Sequence, residues 1–136
     1  MACPFFMPVS RMDQDAWIHP PRLPLGDPYR GLCQAHNGDP CESQHELCNT
    51  GYARGRCDRF PADSAADAVR FSVTADREGA ITLVYIVEKN HLPAEHWVLE
   101  YSIPESRLVN GHISETLAAQ AGAFLASYLR RRVLVL

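Results

Sequence analysis

Residues 69–87 read VRFSVTADREGAITLVYIV, and this stretch decides the fold. Val69, Phe71, Val73 and Ala75 alternate with Arg70, Ser72 and Thr74, the period of a strand with one buried face. Asp76-Arg77-Glu78-Gly79 then supplies a hairpin connection, with glycine where a positive φ is needed. From Ile81 to Val87 nearly every position is apolar, so this strand is expected at the centre of a sheet with both faces covered. Trp97, Leu99, Tyr101 and Ile103 alternate again and give a third strand. Between the second and third strands, His91-Leu92-Pro93-Ala94-Glu95-His96 reads as a loop. With Glu88 beside it, the loop carries two histidines and two carboxylates, ligand types for a hard or borderline metal, although exposed polar residues in a connection need no such explanation.

Downstream, Ser114 is placed to cap a helix, and Glu115 suits the positive end of its dipole. Ile113, Leu117, Ala121, Phe124 and Tyr128 recur at helical spacing, broadened by Leu125 and Leu129. The helix should cover one face of the sheet. Arg130, Arg131 and Arg132 sit towards its C-terminal end, and the apolar Val133-Leu134-Val135-Leu136 either finishes the core or docks on a partner.

Upstream the character changes. Seven of the ten prolines lie at or before Pro40, which disfavours long helices and central strands there. Phe5, Phe6, Met7, Trp17, Ile18, Leu23, Leu25 and Tyr29 nevertheless give this arm enough apolar surface to wrap onto a core. The sheet face bearing Val84, Ile86 and Val98 is its expected resting place.

Residues 33–57, CQAHNGDPCESQHELCNTGYARGRC, contain four of the five cysteines. Soft thiolates at irregular loop spacing point to a metal or iron–sulfur site, and Arg54, Arg56 and Arg59 would offset its negative charge. Asp39-Pro40-Cys41-Glu42 has the form of a helix start, which predicts a short helix from Pro40 to about Cys48. On such a helix Cys41 and Cys48 stand about 10.5 Å apart along the axis. Two thiolates on one zinc lie only about 4 Å from each other. A single zinc therefore fits both poorly, and a four-iron (4Fe-4S) cluster, which spreads its ligands more widely and takes four thiolates, fits better.

Two tetrads satisfy a four-thiolate cluster. One is Cys33, Cys41, Cys48 and Cys57; the other replaces Cys41 with Cys3. The second is preferred, because the cap gives Cys41 a local role and a distant ligand would tie down the proline-rich arm. The spacing matches no standard ferredoxin or zinc-finger pattern. A cysteine nucleophile is a further reading, with Cys41 at a helix start its best candidate.

The 136 residues suit one domain, residues 1–62 forming the Pro/Cys-rich segment and 63–136 the sheet and helix. A formal net charge of −3 gives no electrostatic case for nucleic acid. No apolar run reaches the roughly 20 residues of a membrane span. The N-terminus lacks the basic and apolar regions of a secretory signal, so a cytoplasmic location with reduced thiols is expected. Gly-rich phosphate loops, G-x-S-x-G and H-E-x-x-H are all missing from the sequence. The expected architecture is α+β: a three-stranded antiparallel sheet, a C-terminal helix on one face and the metal-binding segment on the other. The expected function is that of a small iron–sulfur protein without catalysis of its own, in electron transfer or as an accessory subunit with a protein partner. The alternative is a zinc-stabilised interaction module.

Overall fold

The computed structural model describes residues 2–11, 25, 29–34, 41–42, 60–61, 64, 66–109 and 113–135, with 41–42 and 132–135 as backbone. Within them the protein is a mixed α+β structure with two antiparallel sheets and a C-terminal helix. The larger sheet is a meander of β4 (Ala68–Arg77), β5 (Ala80–Lys89), β6 (Leu92–Ser102) and β7 (Arg107–Leu108). The smaller orders β1 (Phe6–Arg11), β2 (Tyr29–Cys33) and β3 (Cys41–Glu42) side by side. The expected three strands of the larger sheet are present, and two features go beyond them. The two-residue β7 adds a fourth strand, and the arm forms a sheet of its own.

The register of the large sheet follows from the alternation that sets β4 and β5. Phe71 lies opposite Tyr85, and Val73 opposite Leu83, which in turn faces Leu99 on β6. These residues share one face, and helix α1 (Glu115–Val135) covers it. Ile81, Leu83 and Leu99 are fully buried there with Ala121 and Leu125. Each large aliphatic side chain so buried contributes about 1.5–3 kcal/mol. Ser114 caps the helix as expected: its Oγ accepts from the Leu117 N–H at 3.1 Å.

Both hairpins are tight. Gly79 has φ 83°, as the sequence requires. At the other hairpin Asn90 (φ 54°) and His91 (φ 64°) are both left-handed, the pattern of a two-residue type I′ connection. The buried Asp67 secures this turn: its Oδ2 accepts from the Asn90 N–H at 2.8 Å. Lys89 Nζ stands 3.6 Å from Asp67 Oδ1 and donates to the Ser64 carbonyl at 2.7 Å. The segment read as a loop, Leu92 to His96, is therefore strand. Glu88 pairs with Pro93 and Val87 with Glu95, so Ala94 is an extra residue on β6. That bulge is how a strand accommodates Pro93.

The described part of the arm also lies elsewhere than expected. Residues 2–11, 25 and 29–34 pack along the flank of α1 beside β4, not on the face of Val84, Ile86 and Val98. Ala2 bridges Val69 through two backbone hydrogen bonds of 2.8 Å. Ala2, Cys3, Phe6, Leu25 and Tyr29 form a second buried cluster, against which Phe5, Phe60, Ala123 and Phe124 pack. Phe71 and Phe124, stacked at 5.6 Å, belong to both clusters and join them. On the opposite sheet face Val98 is 48% exposed.

Gly31 lies on β2 against β1, where a Cβ would collide with the Met7 carbonyl oxygen and press on the Phe6 ring. Gly122 lies on the exposed side of α1 with open space around it. Gly31→Ala is expected to cost about 1–3 kcal/mol and Gly122→Ala to stabilise by about 0.5–1 kcal/mol, both read from urea unfolding midpoints. Burial, reinforced by the charge of Glu95, raises the Tyr85 hydroxyl above its ordinary pKa of 10.0. The neutral phenol is thus the form favoured by folding. Its contribution is full below pH about 10 and disappears as pH rises through the raised folded value. Tyr85→Phe should flatten the alkaline fall in the unfolding midpoint.

Candidate thiolate site

Pairing across the small sheet places the cysteines. Phe6 lies opposite Cys33, and Cys33 lies opposite Cys41 on its other side. Directly opposite residues of antiparallel strands have α-carbons about 4.5–5.5 Å apart. Cys3 reaches the same end of the sheet through a turn, in which the Phe6 N–H donates to the Cys3 carbonyl at 3.1 Å. Next to that turn, the Gln34 N–H donates to the Phe5 carbonyl at 2.8 Å and continues the ladder. The backbones of Cys3 and Cys33 therefore flank Phe6, and that of Cys41 lies one strand further out. Cys3 and Cys33 are both buried.

Helix α1 fixes this arrangement through Gln120. Its side chain is completely buried, and Nε2 donates to the Cys3 carbonyl at 2.8 Å and to the Phe6 carbonyl at 2.7 Å. Both amide protons are used, and they bracket the turn. Oε1 has no hydrogen-bond partner among the described residues. Further along, Tyr29 ties β2 to the same helix. Its hydroxyl donates to the Ala123 carbonyl at 2.9 Å, so the contact with Ser127 at 2.8 Å has Ser127 Oγ as donor.

One expectation is overturned here. Cys41 and Glu42 form strand β3 rather than the first turn of a helix, because pairing with Leu32 and Cys33 supplies the hydrogen bonds a cap would have supplied. The i, i+7 helical separation of Cys41 from Cys48 loses its starting point, and with it the geometric objection to a single zinc. Cys41 itself is thus in a strand and not in the first helical turn that would have activated it as a nucleophile, and the rest of the expected helix, residues 43–48, lies outside the described residues. Cys48, Cys57, His45 and the arginines Arg54, Arg56 and Arg59 lie outside the described residues.

At the other flagged position, Glu88 is buried against Arg70, with Nε 3.3 Å from Oε1. His91 belongs to the hairpin turn, and Glu95 and His96 point to opposite faces of β6. No group of three or more His, Cys, Asp or Glu side chains suited to a metal occurs among the described residues. Gln120 is the important residue the sequence reading missed. A polar residue in an amphipathic helix reads as solvent-facing, and only the spacing that puts it beside Ala121 and Phe124 hinted otherwise.

Compared with family models, curated proteins and solved structures, the chain matches none.

Gln120→Leu keeps the volume of the side chain but takes its donor from the Phe6 carbonyl and leaves the Cys3 carbonyl with the Phe6 N–H alone. The expected loss is about 2–4 kcal/mol. Hydrogen exchange should accelerate first at Ala2 and Phe6, while the β5 amides keep their protection.

Proposed function

We propose that the protein is a small iron–sulfur protein, with a cluster held at the Phe6 end of the small sheet. Cys3, Cys33, Cys48 and Cys57 are its ligands, and Cys41 is the neighbour left over. The observation that supports this reading is that a turn and the strand register bring Cys3 and Cys33 to the Phe6 end of the small sheet, with Cys41 paired to Cys33 one strand further out. Burial of Cys3 and Cys33 suits a cluster shielded from water, since solvent access is one of the factors that set its potential. A cluster supplies reversible one-electron chemistry. The role is electron transfer, or service as an accessory subunit to a redox partner in the cytoplasm.

A second reading, a zinc-stabilised interaction module, is favoured by one specific observation. The strand conformation of Cys41 and Glu42 places the Cys33 and Cys41 backbones at a spacing that one tetrahedral ion accepts.

Anaerobic purification with metal and sulfide analysis separates the two. The expected product is brown, absorbs at about 400 nm and contains iron and acid-labile sulfide. A colourless protein with stoichiometric zinc would replace the first reading with the second, and a metal-free protein would remove both. Cys3→Ser, Cys33→Ser, Cys48→Ser and Cys57→Ser should each lose the cluster, with helical content by circular dichroism reporting whether the fold survives. Cys41→Ser should keep it. The reverse result for Cys3 and Cys41 would move the assignment to the compact tetrad.

A further inference from the structure

The pairing of Cys33 with Cys41 across β2 and β3 has chemistry of its own, whatever metal the site takes. A disulfide requires α-carbons about 4.4–6.8 Å apart, and a directly opposite antiparallel pair provides about 4.5–5.5 Å. The register meets the α-carbon condition, and the Cβ atoms of such a pair, about 4.5–5.5 Å apart, must close to about 3.5–4.5 Å for the bond to form. We propose that Cys33 and Cys41 are a cross-strand dithiol that a low-molecular-weight disulfide oxidises once the thiolates carry no metal. In the first step the thiolate of one cysteine attacks the small disulfide, forming a mixed disulfide and releasing one small thiolate. In the second step the other cysteine of the pair attacks the protein-bound sulfur, closing the Cys33–Cys41 bond and releasing the second small thiolate. The protein loses two electrons and two protons, and the small disulfide gains them as two thiols.

The consequence is a covalent clasp at the edge of the small sheet. It consumes Cys33, so a ligand set that contains Cys33 and the clasp exclude one another. The register is sufficient for this inference, which does not depend on whether the metal is iron or zinc.

The test uses the full chain, stripped of metal by a chelator with reductant, freed of both without air and equilibrated with oxidised and reduced glutathione. After acid quench and alkylation, cleavage before Asp39 separates the fragment bearing Cys33 from the one bearing Cys41. The expected result is a disulfide joining these two fragments, assigned to Cys33 and Cys41 by fragmentation of the wild-type peptide. It should vanish in Cys41→Ser and persist in Cys48→Ser and Cys57→Ser. Linkage of Cys33 to Cys48 or Cys57, or glutathione adducts without an internal bond, would overturn the proposal. Metal and sulfide content, measured before stripping, report separately on the cluster.

Discussion

The arrangement of the N-terminal arm depends on two hydrogen bonds from one buried amide. Gln120 Nε2 reaches the carbonyls of Cys3 and Phe6, and it does so from the helix that also seals the large sheet. A buried amide must use its donors or lose their hydration without return. The turn between Cys3 and Phe6 is therefore held to the same body as β5, although more than seventy residues separate the two in the chain. The ladder from Ala2 to Val69 and the contacts of Tyr29 with Ala123 and Ser127 act in the same sense. Together they turn a proline-rich arm into a sheet with a defined register.

That register is what sets the Cys33 and Cys41 backbones side by side. Phe6 is a fully buried anchor, and Cys33 and Cys41 follow from it by strand pairing rather than by any spacing in the sequence. A thiolate site built this way has its rigid side on the small sheet and the helix. The cluster reading and the disulfide reading use the same geometry in different states of the thiols. One needs Cys33 as a ligand, and the other needs it as a partner.

Much of the large sheet was legible because its signals are local. The alternation of Val69, Phe71 and Val73 and the Glu78-Gly79 turn specify β4 and β5 within a few residues, and Ser114 caps its helix at close range. The Asn90-His91 turn was not legible, since it lacks glycine and relies on Asp67, more than twenty residues away. Asp39-Pro40 gave a sound helix signal, but a cap contributes only about 1 kcal/mol and yields to strand pairing. The arm was misplaced for the same reason that Gln120 was missed. Periodicity sorts residues by polarity, and a buried glutamine that binds another segment's backbone is sorted to the wrong side.

The most direct test of the thiolate site is X-ray absorption at the iron edge of the anaerobically purified full chain. An iron–sulfur cluster predicts a first shell of sulfur with iron scatterers in the second shell, lost together in Cys33→Ser. A first shell of oxygen and nitrogen, or no iron to measure, would contradict it.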